Sequence, residues 1–443
     1  MSRHNAQDAR SRDKVLVIGD DGRITLPIVR SLGRKGIVVH LASSNEHDPG
    51  IRSRFLKKRY DIGSYRRDDD TWKHRLLELC QRENYTLILP ATEAAVFACH
   101  QHRHDLDSLP LQLISSRAFE TVFDKRKTYE LADRLGIPIP HGVFVETDEN
   151  CAELIDEHPL PAIVKPCSSV NAGSTISKHF VRKVETRDGF REYASQLQDD
   201  GSGFVVQAWV EGSGVGVEVL ADRGEILFAF QHQRLHETSG YGSTYRQSVP
   251  VEAELLDAAS RMLAELDYTG VAMVEFRRSE RTGQWVLLEI NGRFWGSLPL
   301  AVAAGANFPY YLFQLAVHRC REFEQRNLAG TYCRSVVDDA RWLWRNLRGK
   351  HVESGSSDNE SLGWEVNRIP PHQWFAELLN LVTLREHWDS FAFDDWGPGL
   401  YEILQLVREG IQRAAAPVAS RLGSILSRVG SRTWQRSPGR SAS

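Results

Sequence analysis

The chain is short of several things at once. Its six cysteines (Cys80, Cys99, Cys151, Cys167, Cys320 and Cys333) are scattered over 443 residues, with no Cys-x-x-Cys pair. That is no disulfide framework, and it fits a reducing compartment. An excess of either charge is also missing: 55 Lys+Arg stand against 58 Asp+Glu, a net charge of −3. Such a balance excludes a bulk polyanion binder, so no nucleic acid partner is expected. Long hydrophobic runs are absent too. The longest apolar stretch, Leu298 to Val317, is broken by Pro299, Asn307 and Pro309, which argues against a membrane span. The opening residues, Met1 to Lys14, are polar and lack the apolar core of a signal peptide. The expectation is a soluble, cytoplasmic protein. What is present is ordinary: 41% apolar and 26% charged residues, a globular composition that excludes a disordered or collagen-like chain. At roughly 150 residues per domain, the length leaves room for about three domains.

Patterning divides the chain. Lys14 to Gly19 is a short apolar run ending in glycine, as expected of a buried strand. Helical spacing over Ile24 to Leu32, a second strand at Ile37–Leu41, a helix at Trp72–Arg82 and a strand at Thr86–Pro90 follow. Strand and helix in alternation argue for a parallel α/β sheet. Past a helix at Lys127–Leu135, short strands dominate: His141–Val145, Ala162–Lys165, Phe204–Trp209, Val215–Ala221, Ile226–Gln231, Ala272–Arg277 and Trp285–Ile290. They read as an α+β region with a core of its own. Beyond residue 326 the polar run Ser354–Glu360 resembles a linker, and Trp374–Leu384 and Leu400–Ile411 look helical. From Arg421 onward there are five arginines and no acid, with Val418, Leu422, Ile425, Leu426 and Val429 at helical spacing. That pattern fits either an amphipathic helix packed on the body or a basic helix on an anionic membrane surface.

Chemistry concentrates in a few places. Glu275 sits in one apolar strand and Glu289 in another; Asn291, two residues on, shares the face of Glu289, and Arg293 follows on the same side. Two carboxylates and an amide oxygen form a hard, all-oxygen cluster of the kind Mg²⁺ prefers; salt-bridged strand carboxylates are the plainer alternative. Lys125 opens a helix, and Lys165 ends the apolar run Pro161–Lys165, where a lysine needs an anion or a route to water. The small polar segment Ser168–Thr175, with Ser169, Gly173 and Ser174, can turn amides onto a phosphate. The strand Phe204–Val210 runs into Glu211 and a glycine-rich stretch, and its end can offer backbone polar groups to an adenine edge.

In this order the motifs resemble the ATP-grasp superfamily: a lysine, a lysine–proline strand, a small-residue loop, a hinge strand, a glutamate, then Glu-x-Asn-x-Arg. The likeness covers roughly residues 14–320. It is closest to ATP-grasp carboxylate–amine ligases that share Gly270–Phe276, Glu289–Ala301 and Ala304–Pro309. The resemblance implies a fold of the α/β and α+β classes. Residues 1–13 form a disordered arm, 14–115 a Rossmann-like parallel-sheet domain, 116–325 a two-subdomain ATP-grasp fold with its lid at about 125–205, and 326–443 a largely helical C-terminal region with a basic tail.

The resemblance also implies roles. Lys125, Lys165, Ser168, Ser169, Gly173 and Ser174 would contact nucleotide phosphates. Gln207, Ala208, Trp209 and Val210 would hold adenine, and Glu211 or Glu218 the ribose. Glu275, Glu289 and Asn291 match ligands of Mg²⁺ (or Mn²⁺). Arg293 matches the arginine that steadies an acyl phosphate, and His232 and Arg234 a cation site near the γ-phosphate. Two departures stand out: Gln207 where glutamate is frequent, and Gly292 where relatives carry proline. The implied activity is ATP-dependent ligation of a small carboxylate to an amine. A bicarbonate-activating enzyme of the biotin-carboxylase or carbamoyl-phosphate type, and an ATP-binding protein without catalysis, are the alternatives. A homodimer is compatible with this reading.

Three further features stay open. Thr92 and Glu93 end a strand and could serve the acceptor site, or simply cap a helix. Arg246, in the glycine-rich stretch Gly240–Arg246, could bind a substrate carboxylate or belong to a surface loop. His100 and His104, four apart, invite a metal reading or a solvated helix end. Gly19-Asp-Asp-Gly22 follows a strand but lacks Gly-x-Gly-x-x-Gly, so a dinucleotide site is not expected.

Overall fold

The computed structural model describes residues 13–65, 69–146, 151–167, 181–199, 203–237, 242–326, 328–348, 370–377, 379–383 and 385–408. Three sheets organise them.

The first sheet is parallel. β1 (Lys14–Ile18) leads through helix α1 (Gly22–Arg34) to β2 (Val38–Ala42), then β3 (Leu56–Tyr60), helix α2 (Thr71–Glu83), β4 (Leu87–Pro90) and helix α3 (Glu93–Gln101), in the order β3-β2-β1-β4. β1 is apolar on both faces because helices cover both. Val15 and Val17 join a core with Ile24, Ile28 and Leu32 of α1, while Leu16 and Ile18 face Trp72, Leu76 and Leu79 of α2. Asp21 caps α1, its carboxylate accepting from the Arg23 amide.

Helices α4 (Ser116–Val122) and α5 (Lys125–Arg134) lead into an antiparallel four-stranded sheet. It comprises β5 (Gly142–Val145), β6 (Ala162–Pro166), β7 (Arg182–Val184) and β8 (Phe204–Ala208), in the order β5-β8-β6-β7. Helices α6 (Ala152–Glu157) and α7 (Arg187–Asp199) cover one face, where Phe190, Tyr193 and Leu197 pack on Val164, Phe204 and Val206.

The third sheet is the largest. It contains β9 (Ser213–Asp222), β10 (Glu225–Glu237), β11 (Ser243–Val249), β12 (Gly270–Arg278), β13 (Trp285–Asn291), β14 (Tyr332–Arg334) and β15 (Glu386–Trp388), with helix α8 (Ala253–Glu265) between β11 and β12. The order is β13-β12-β9-β10-β11-β14-β15. One face buries Met262 and Leu263 of α8 against Val217, Val219 and Val274. The other meets the first sheet through helices α9 (Leu298–Ala304) and α10 (Phe308–His318). Each fully buried Leu, Ile or Phe there contributes about 1.5–3 kcal/mol. The apolar stretch 298–317 is thus two short core helices bent by 86°, and no helix among the described residues is long and apolar enough to cross a membrane. Helices α11 (Val336–Arg348), α12 (Pro371–Glu377) and α13 (Leu379–Val382) and a helix over 397–408 make up most of the described residues of the C-terminal region. That region also lends β14 and β15 to the large sheet, paired parallel to each other.

Candidate active site

The floor of the site is the β12–β13 pair. Antiparallel register sets Glu275 opposite Glu289 and Met273 opposite Asn291, so both carboxylates rise from one face. The Asn291 side-chain amide donates to Glu275 Oε1 at 3.0 Å and to Glu289 Oε1 at 3.2 Å. Burial drives the Glu275 carboxyl above its usual range, with the Glu289 charge adding to the rise and Arg234 opposing it. Burial pushes Glu289 the same way, but Lys125, Lys165 and Arg293 outweigh it and hold it low. Among the described residues no three His, Cys, Asp or Glu side chains cluster as a metal site. Two facing carboxylates and an amide that can present oxygen instead of nitrogen still fit Mg²⁺, which completes its shell with waters and phosphate oxygens.

Cations surround this floor. Arg234 of β10 lies 2.6 Å from Glu275 Oε2. His232, two residues earlier on the same face, has Nδ1 2.5 Å from Glu218 Oε1. Its ring lies across Gly216, where a Cβ would come within 2.4 Å of Cε1. Arg293 reaches to the first sheet and pairs with Glu93 at 2.8 Å. Glu93 opens α3 with Thr92 at its N-cap, although Thr92 makes no side-chain cap bond.

On the four-stranded antiparallel sheet, Lys165 is buried with Nζ 3.1 Å from the Tyr129 hydroxyl, which itself donates to the Leu288 carbonyl at 2.8 Å. Burial lowers the Lys165 ammonium to about 8 despite the partial compensation of Glu289 and Glu275. The Lys125 amide donates to the Cys167 carbonyl, joining the start of α5 to the end of β6. Gln207 is buried in β8, and the Trp209 ring lies under both Lys183 (4.7 Å) and Arg277 (4.8 Å). Glu211 is exposed just beyond. Ser168, Ser169, Gly173 and Ser174 lie outside the described residues.

Four expectations need correction. Glu218 is fully buried against His232 and Ser297; it is sealed beneath the site and cannot face a ribose. The amides of Ala208 and Trp209 are already bonded to the His141 and Pro161 carbonyls, so neither is available to a base. Arg246 is on β11 and not in a loop. Its guanidinium is buried, bonded to Asp389 at 2.6 Å and to the Gly296 carbonyl at 3.0 Å, and the residue lines the cavity beside the floor. α3 ends at Gln101, so His104 is off the helix, while His100 stacks on Phe119 with centroids 4.0 Å apart.

A cavity of about 680 Å³ opens between the floor and the first sheet. His232, Arg234, Glu275 and Asn291 line one wall; Asp20, Arg23, Asn45 and Tyr65 line the other. Sequence reasoning missed Tyr129 and this second wall. Tyr129 lies four residues after Lys125, on the same face of one helix, and that spacing could have marked it.

A family model described as "ATP-grasp in the biosynthetic pathway with Ter operon" matches residues 202–334, the stretch that carries the floor and both cation strands. Over that stretch the chain is similar to the ATP-grasp family. Among curated proteins it is similar to D-alanine–D-alanine ligase A of Bradyrhizobium diazoefficiens, 30% identical over 192 residues, covering 38% of this chain and 49% of that one. It is also similar to D-aspartate ligase of Enterococcus faecium, 24% identical over 277 residues, covering 59% of this chain and 64% of that one. The chain therefore spans about half to two thirds of the length of these relatives. The fold is like that of N5-carboxyaminoimidazole synthetase from Staphylococcus aureus complexed with ADP, with a TM-score of 0.60 at 15% identity, covering 84% of this chain and 97% of that one.

Proposed function

We propose that this protein is an ADP-forming ATP-grasp carboxylate–amine ligase acting on small molecules. The observation that carries the reading is the Glu275–Glu289–Asn291 cluster, ringed by Lys125, Lys165, Arg234 and Arg293, at the mouth of a cavity large enough for a second substrate. The activities in the names of these relatives, joining D-alanine to D-alanine and ligating D-aspartate, lend it support. Glu275, Glu289 and Asn291 would hold Mg²⁺, which when bound neutralises phosphate charge during transfer.

Lys125 and Lys165 would bind the nucleotide phosphates, Lys165 as a buried cation whose charged form a bound anion favours. Arg234 would orient the γ-phosphate, kept in place by Glu275, and His232 would assist it, fixed by Glu218. A substrate carboxylate oxygen attacks the γ-phosphorus and ADP leaves; the resulting acyl phosphate is attacked at carbon by an amine, which loses a proton as phosphate departs. Arg293 would stabilise the oxyanion of that second step. The lid sheet would close over the nucleotide and exclude water. Six unpaired cysteines and a need for ATP fit a cytoplasmic setting.

The test is ADP release from MgATP with D-alanine, D-aspartate and the twenty L-amino acids supplied as acids and amines. Wild type is expected to release ADP only when an amino acid is present, and Glu289→Ala to fall by at least a hundredfold. ADP release with bicarbonate alone would replace the ligase by a bicarbonate-activating enzyme. Near wild-type release by Glu289→Ala would break the assignment of the floor.

A further inference from the structure

We infer that Asp389, in the C-terminal region, is a positioning residue of the candidate active site, acting through Arg246 on the turn that carries Arg293. Asp389 directly follows β15 and is 9% exposed; Arg246 is 1% exposed. One guanidinium nitrogen lies 2.6 Å from each Asp389 oxygen, and the Cys333 thiol adds a third contact at 3.0 Å. The other terminal nitrogen of Arg246 donates to the Gly296 carbonyl at 3.0 Å. Gly296 lies three residues after Arg293, in the turn between β13 and α9. Breaking a buried ion pair is costly, so the pair holds the guanidinium where its other terminal nitrogen fixes this turn.

The same short stretch grips the opposite wall. Arg30 of α1 donates to the carbonyls of Ser390 (2.7 Å) and Asp395 (2.9 Å) and to the Asp395 carboxylate (2.8 Å). Asp395 also accepts from the Ser53 hydroxyl at 2.7 Å and the Arg54 amide at 2.8 Å. α1 begins at the cavity, where Asp21 and Arg23 line it. Residues 389–395 thus tie the Arg293 turn on one side to helix α1 on the other and set the width between the two walls. A displacement of about 1 Å at a reacting group can cost about a hundredfold in rate. A strap outside the cavity lining can therefore control turnover without touching substrate.

The kinetic part of this inference rests on the ligase reading, so the experiment has a part that does not. Asp389→Asn, Arg246→Met and the double variant are compared with wild type. Three quantities are measured: binding of a non-hydrolysable MgATP analogue, kcat for ADP release with the amino-acid mixture, and amide hydrogen exchange. Analogue affinity is expected to stay within twofold, kcat to fall at least tenfold in each single variant, and the double variant to be no worse than the weaker single. Exchange over 292–300 is expected to rise at least tenfold while β9 and β12 stay protected, and Asp389→Glu is expected to recover part of the loss. Additive losses, wild-type kcat, or a uniform rise in exchange would each overturn the inference. If wild type binds the analogue but releases no ADP with the mixture, the ligase reading fails. The positioning role then stands or falls on exchange over 292–300 alone.

Discussion

Lys165 shows how burial sets the working range of a single residue. With its ammonium lowered to about 8, the free protein loses this cation as pH rises through 8. An anionic nucleotide favours the charged form, so affinity for a MgATP analogue should fall about tenfold per pH unit above 8. Lys165→Arg should flatten that slope; an unchanged slope would separate Lys165 from the nucleotide. Asp48 shows the opposite sign. Burial pushes its carboxyl up to about 6, against the opposing bonds from the Gly50 amide and the Thr25 hydroxyl. The folded state keeps a proton between about pH 4 and 6 that the unfolded chain has lost, so stability falls as pH rises through that window. Asp48→Asn should remove the fall and gain about 2 kcal/mol at pH 7.5, read from urea midpoints across pH. Glu275, Glu289 and Asn291 were legible in the sequence because strand alternation fixes which side chains share a face. Arg246 was not, because glycines around it imitate a loop while the partner that buries it, Asp389, lies 143 positions away.

The join between the four-stranded antiparallel sheet and the large sheet is the sharpest constraint at the scale of elements. Gly212 links β8 to β9 with φ +136, and a Cβ there would lie 1.9 Å from the Arg278 carbonyl oxygen. Gly212→Ala should cost about 3 kcal/mol, or shift β9 away from β12, measured as a lower urea midpoint. The long apolar strands β9 and β12 were legible to within two residues, whereas β10 runs six residues past the expected Gln231, through His232 and Arg234. β3 was not: Leu-Lys-Lys-Arg-Tyr reads as surface because it is an edge strand, with only one neighbour. β14 and β15 are three residues each, too short for any period to show, and they exist because the edge of β11 is there to pair with.

For the whole molecule, Asp395 is the residue that joins distant parts of the chain. It pairs with Arg30 at 2.8 Å, with side-chain exposures of 1% and 6%. Removing one partner of such a pair leaves the other charged and dry, at about 3–5 kcal/mol. Asp395→Ala should split thermal unfolding so that the first sheet melts before the large one; a single transition at the wild-type temperature would contradict that. No sequence pattern could show this contact across 365 positions, nor the cavity it helps to form, since both arise from docking one sheet on another. The central claim is that the acidic floor is a metal–nucleotide site. Thermal stability in Mg²⁺ and a non-hydrolysable ATP analogue, for wild type and for Glu289→Ala/Asn291→Ala, tests it most directly. At about a hundred times its Kd the analogue should stabilise wild type by about 2.7 kcal/mol, and the Mg²⁺-dependent part should vanish in the variant. No shift in wild type at millimolar analogue, or an equal shift in the variant, would contradict it.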